Sequence, residues 1–122
     1  MKDTYQTGLQ GEDSAAEYLT ETYGMVLLEH RYRTKHGEID LIMTDGETVV
    51  FIEVKTRKTG NAGNGLAAVN LPKQKRITQA ATIYLMYKGW MRKTVRFDLV
   101  EIHEGKILYI RNAFQPYGRF QH

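Results

Sequence analysis

Asp40 and Glu53 are carboxylates on runs that otherwise read as apolar β-strands, and Lys55 follows two residues after Glu53. The runs are Gly37-Glu38-Ile39-Asp40-Leu41-Ile42 and Val50-Phe51-Ile52-Glu53-Val54-Lys55. Strand side chains repeat every two residues, so Glu53 shares a face with Lys55, and Glu38 with Asp40. Two like charges on a half-buried surface are costly unless a positive charge sits between them. Lys55 is one candidate for that charge and a divalent cation is another. Carboxylate oxygens suit Mg²⁺ or Mn²⁺; the chain has no cysteine, and no histidine spacing resembles a zinc site. The competing interpretation is a salt-bridge cluster on a solvated sheet face. Val50, Ile52 and Val54 on one face, with Val49 and Phe51 on the other, weigh against it, because a strand apolar on both faces is usually a central strand.

The elements that would position these groups start with a hairpin, strands near 37–44 and 48–57, signalled by Asp45-Gly46. A two-residue loop pairs Thr44 with Glu47 and sets Asp40 diagonal to Glu53; a four-residue loop pairs Thr44 with Val49 and sets Asp40 opposite Glu53. Either places Asp40, Glu53 and Lys55 on one face, about 5–8 Å apart, whereas an odd loop with a bulge breaks the pattern. Residues 5–23 fit an amphipathic helix stopped by Gly24, with Leu9, Ala16, Leu19 and Tyr23 inward. Glu12 falls on that stripe. Two readings of it stand side by side: it points at the hairpin carboxylates, or it reaches solvent at the stripe's edge.

A strand near 25–33 precedes the hairpin. The segment Lys58 to Gly65 has the composition of a surface loop, either a closing flap or a plain connector. Pro72 opens a second helix running to about Lys88, with Ile77, Ala80, Ala81, Tyr84 and Leu85 inward and Gly89 as its stop. Its first turn is basic, against the helix dipole, which points to a phosphate ligand there. Strands near 94–102 and 106–112 follow, joined at Glu104-Gly105. The order is α-β-β-β-α-β plus a C-terminal edge strand. A helix between strands implies a crossover, so the fold class is α/β with a mixed central sheet flanked by helices.

Length and charge bound the function. The 122 residues suit a single domain spanning 1–122. No apolar run is long enough to cross a membrane and no signal peptide is evident, which, with the lack of cysteine, points to the cytoplasm. The net charge is +3, but residues 1–29 carry −5 and the remainder +8. The basic residues gather at 31–36, 55–58, 73–76 and 92–93. Any one cluster equally suits a solvated face; several around an acidic pocket suit a polyanion held by its phosphates. Tyr87, Trp90 and Met91 read first as core packing, and a homodimer contact is the second reading.

Asp40 followed by Glu53-Val54-Lys55 resembles the PD-(D/E)xK nuclease signature, with Ile39 where that signature has proline. The element order resembles the restriction-endonuclease-like core. Nearly the whole chain is closer still to the YraN-like family of small bacterial nuclease-like proteins, through Gly11-Glu12, the two hairpin runs, Lys73 to Arg76 and Arg96-Phe97-Asp98. A more distant likeness is to archaeal Holliday-junction resolvases. The resemblance implies a metal-dependent endonuclease acting on DNA, branched or structured DNA included. It implies that Asp40, Glu53 and the Val54 carbonyl hold one Mg²⁺ or Mn²⁺, with Glu12 completing the shell directly or through water. Lys55 would orient the attacking water or offset charge at phosphorus, and Arg57, Lys58, Lys73, Lys75 and Arg76 would contact the DNA backbone. Glu38 is expected in a salt bridge to Arg57 or Lys55. The alternative is a non-catalytic DNA-binding module or repair scaffold on the same fold.

Overall fold

The computed structural model describes residues 4–57 and 69–115, with side chains from Gln10 onward. The Lys58–Gly65 segment, Lys58 itself and the Leu9 side chain therefore lie outside the described residues. Helix α1 spans Thr4–Tyr23; strands β1 (Val26–Thr34), β2 (Gly37–Asp45) and β3 (Thr48–Arg57) follow. Helix α2 (Leu71–Lys88) then leads to β4 (Val95–His103) and β5 (Lys106–Ile110). The expected α-β-β-β-α-β order plus a C-terminal edge strand is what the chain forms.

The five strands lie in the order β1-β2-β3-β4-β5. All neighbours are antiparallel except β3 and β4, which run parallel because α2 carries the chain back between them. The central β3 is buried and apolar on both faces over Val49–Ile52. Val49 and Phe51 pack with Ile77, Ala80, Ala81, Tyr84 and Leu85 of α2 and with Phe97 and Leu99 of β4. Val50 and Ile52 pack on the opposite face with Ala15 and Leu19 of α1 and Leu41 and Met43 of β2.

Local chemistry fixes the boundaries. Asn70 caps α2, its Oδ1 accepting from the Lys73 amide at 3.0 Å, and Pro72 sits in the first turn, where no amide donor is needed. Gly89 ends α2 in the left-handed conformation with φ of 73°. The buried stripe of α1 is Gly11, Glu12, Ala15 and Leu19, while Ala16 is only half-buried and Tyr23 is exposed. The expected stripe was rotated by about one position at Ala16, because Gly11 rather than a bulky residue makes the closest approach to β3. A Cβ on Gly11 would stand 2.3 Å from Thr56 Oγ1.

The β2–β3 hairpin takes the register expected of the four-residue loop, not that of the Thr44–Glu47 pairing, and closes by one further pair. Thr44 pairs with Val49, yet Asp45 still pairs with Thr48, leaving Gly46-Glu47 as the turn. Asp45 is drawn into the strand by Arg96, whose Nη1 lies 3.1 Å from its Oδ2, and Gly46 takes the positive φ of 59°. Among the described residues no helix is long and apolar enough to cross a membrane.

Candidate carboxylate site where two strands part

The β2–β3 ladder runs from the turn as far as Leu41 opposite Ile52 and stops. One step further, the same register sets Asp40 against Glu53. Instead of a backbone rung, Asp40 Oδ2 accepts from the Val54 amide at 2.8 Å. The strict alternation expected of β2 slips here. Ile42 and Ile39, three apart, both join the core under α2, while Leu41 and Met43 join the core under α1. Opposite, Arg31 of β1 has a left-handed φ of 51°, rare for a non-glycine residue. These irregularities turn Asp40 into the gap between β2 and β3 rather than onto one sheet face.

Glu53 is buried, and its carboxylate meets the Lys73 ammonium from the first turn of α2. The Asp40 and Glu53 carboxyls are close enough to share a proton. Burial, then the charge of Asp40, pushes Glu53 up to about 7 against the pull of Lys73. Burial likewise raises Asp40, opposed by the Val54 amide bond. Glu12 is buried as well: its Oε2 lies 3.1 Å from Arg31 Nη2, and its Oε1 has no hydrogen-bond partner. Burial, then the charge of Asp40, lifts Glu12 to about 7 despite Arg31. Glu12 is thus turned inward rather than to solvent, and it feels Asp40.

Asp40, Glu53 and Val54 are brought together, and Glu12 approaches from α1. Lys55 is half-buried, two residues beyond Glu53, and forms no ion pair among the described residues. Arg57 points to β4, its Nε 3.5 Å from the buried Glu101. Lys73 lies on Glu53; Lys75 and Arg76 are exposed on α2. Glu38 bonds to Arg33 at 3.4 Å, not to Arg57 or Lys55 as expected, because the β1–β2 pairing sets Arg33 opposite it.

Several contributors were not anticipated. Arg31 as the partner of Glu12 had no sequence signal beyond the basic run. Gly37 had one, a glycine at the head of a strand: a Cβ there would stand 2.6 Å from the Arg76 carbonyl oxygen, so glycine lets the β1–β2 turn close on α2.

The donor set is hard and anionic, and the unpartnered Glu12 Oε1 and the proton-sharing pair are what a small divalent cation would relieve. As arranged, the cations near it belong to the chain, Lys73 on Glu53 and Arg31 on Glu12. Among the described residues no three His, Cys, Asp or Glu side chains stand together closely enough to hold a metal ion. Asp40, Glu53 and the Val54 backbone would be the groups to hold such an ion, in competition with the Lys73 ammonium on Glu53.

The fold and site together define an α/β protein with a carboxylate pair, one member buried and one half-buried, at the end of a central hairpin. The chain belongs to UPF0102, an uncharacterised protein family that includes the YraN-like proteins, whose profile matches residues 11–102. A UPF0102 protein of Herminiimonas arsenicoxydans is 43% identical, over 88% of this chain and 86% of its own. One of Syntrophus aciditrophicus is 42% identical over 98% and 97%, and one of Rhodococcus jostii 42% over 93% and 100%. Among solved structures, the crystal structure of SSO0001 is similar at a TM-score of 0.44 and 15% identity, covering 87% of this chain and 50% of that one.

Proposed function

We propose that this protein is a metal-dependent endonuclease hydrolysing DNA phosphodiester bonds, with branched or structured DNA among its substrates. The observation that carries this reading is the neighbouring Asp40 and Glu53 carboxyls, Glu53 buried and Asp40 half-buried, with the Lys73 ammonium on Glu53 and Lys55 two residues further along the strand. A bound Mg²⁺ or Mn²⁺ would supply Lewis acidity to a phosphate oxygen and lower the pKa of a water. Asp40, Glu53 and the Val54 carbonyl would hold the ion, with the Val54 amide bond to Asp40 Oδ2 steadying that carboxylate. Glu12 reaches the same charge centre directly or through water. Lys55 offers an ammonium to orient the attacking water or to offset charge at phosphorus. Lys73, Lys75 and Arg76 at the start of α2, with Lys58 and Arg57, supply charge to the DNA backbone, which positions a strand without reading its sequence.

A second reading, a nuclease-like module that binds DNA without cutting it, is favoured by one observation: Lys73 and Arg31 already neutralise Glu53 and Glu12. One assay separates the two. Linear duplex, single-stranded and four-way-junction DNA are incubated with Mg²⁺ or Mn²⁺ and wild-type protein, Asp40→Ala or Lys55→Ala. Cleavage by wild type alone supports the enzyme; binding without cleavage under every condition supports the module.

A further inference from the structure

The β1–β2 turn and α2 enclose a cleft of about 440 Å³, beside the carboxylate site and joined to it through Lys73. Arg33, Lys35 and Arg76 line it together with Lys73, and Glu38 is the acidic residue on its wall. Arg33 is held by Glu38 and Lys73 by Glu53, so Lys35 and Arg76 keep their charge uncompensated among the described residues. The turn is fixed in place: Thr34 Oγ1 accepts from the amides of His36 and Gly37, both at 3.1 Å, and donates to the Gly37 carbonyl at 2.9 Å. The absence of a side chain at Gly37 sets the turn directly against the Arg76 backbone.

His36 also borders a second cavity, of about 300 Å³, lined by Gln79, Thr82, Ile83 and Met86. Arg76, Gln79, Ile83 and Met86 recur three or four residues apart, so they form one stripe of α2. From Arg76 to Met86 that stripe is about 15 Å long, at 1.5 Å per residue. Its chemistry changes along its length. The end nearest Glu53 is cationic and the far end is apolar, with Met86 60% exposed and the His36 imidazole at the boundary. A duplex offers such a stripe phosphates but hides the faces of its bases. An unpaired strand offers both, and flat π faces pack on imidazole and on exposed thioether or aliphatic groups.

We infer that this cleft and stripe bind a single-stranded segment of DNA. The phosphates lie at Arg33, Lys35 and Arg76, the unstacked bases lie at His36, Ile83 and Met86, and the strand leads past Lys73 to the carboxylate pair. The inference rests on the nuclease reading for the identity of its ligand and deepens it by naming unpaired DNA as the form recognised.

The test is fluorescence anisotropy with a labelled single-stranded oligonucleotide and its matched duplex in EDTA, with cleavage by wild type in Mg²⁺ or Mn²⁺ followed in parallel. Wild type binds the single strand about tenfold or more tighter than the duplex, from one or two base contacts. Arg33→Ala with Arg76→Ala weakens both ligands about tenfold and lowers the salt slope by about 1 to 2. His36→Ala and Met86→Ala weaken the single strand several-fold and leave the duplex unchanged. Equal binding of the two ligands, or variants that bind like wild type, overturns the inference; if wild type still cleaves, the nuclease reading survives. Absence of both binding and cleavage for every DNA overturns both.

Discussion

Two buried acidic centres lie in the same sheet and are treated in opposite ways. Asp98 of β4 is fully buried and fully partnered. Arg96 Nε reaches both of its oxygens, at 3.0 and 3.1 Å, the Tyr109 hydroxyl donates at 2.5 Å, and the Asn112 amide donates at 2.8 Å. Arg96 also bonds to Asp45, tying the β2–β3 turn to β4 and β5. Burial, then the bond to Asp98, pushes the Tyr109 hydroxyl well above its usual range, so that hydroxyl keeps its proton. At the other centre Asp40 takes the Val54 amide and Glu53 the Lys73 ammonium, while one buried Glu12 oxygen has no partner among the described residues. A protein that can satisfy Asp98 this thoroughly carries an unsatisfied centre elsewhere in the same core. Unpaired buried acids are costly for stability and are commonest where charge is used. On the proposed reading, Asp98 is architecture and the Asp40–Glu53 gap is the working site.

The largest effect should fall on the satisfied centre. Asp98→Ala leaves Arg96 partly buried without its main counter-charge and should cost about 3–5 kcal/mol in urea unfolding, as for other broken buried pairs. A loss below about 1 kcal/mol would erase the distinction between the two centres. Gly37→Ala comes next. The new methyl meets backbone rather than a movable side chain, so the β1–β2 turn must lift from α2. About 1–3 kcal/mol is expected, the usual range for overpacking.

The third prediction concerns the unsatisfied centre and carries a sign. Glu12 and Glu53 hold protons more tightly folded than unfolded, about 7 against an ordinary 4.5. The stability gained by keeping them protonated is full below about pH 4.5 and is lost as pH rises through about 7. Between pH 4.5 and 8, wild type should therefore lose about 1–2 kcal/mol more than Glu53→Gln, read from urea midpoints. Parallel curves for the two proteins would show that Lys73 satisfies Glu53 after all. The smallest effect belongs to the exposed Arg33–Glu38 pair, where Glu38→Ala should change stability by no more than about 0.5 kcal/mol.

Much of this contrast could be read in the sequence at the level of elements and little of it at the level of partners. The strands, both helices and the mixed sheet follow from alternation, from the Pro72 and Gly89 punctuation, and from a helix lying between strands. Ile77, Ala80, Ala81, Tyr84 and Leu85 are all buried as periodicity required. The inward turn of Glu12 was open between two readings, and packing decided it, because Gly11 lets α1 sit close on β3. The slip at Asp40 was hidden, because alternation assumes a regular strand, while the left-handed Arg31 across from it breaks the pattern without any glycine to announce it. The pairing of Lys73 with Glu53 was hidden too, since it joins residues that only the crossover through α2 brings together. Arg96 and Asp98 stood out only by resemblance; Tyr109 and Asn112, which complete their network, gave no local sign.

The central claim, that Asp40 and Glu53 form a centre waiting for a positive charge, is tested most directly by titrating Mn²⁺ into the protein by isothermal calorimetry at pH 8, beside Asp40→Ala and Lys73→Ala. Wild type should bind the ion at a discrete site, Asp40→Ala should lose that binding, and Lys73→Ala should bind more tightly because the competing ammonium is gone. No saturable binding by wild type, or the same isotherm for wild type and Asp40→Ala, would contradict the account.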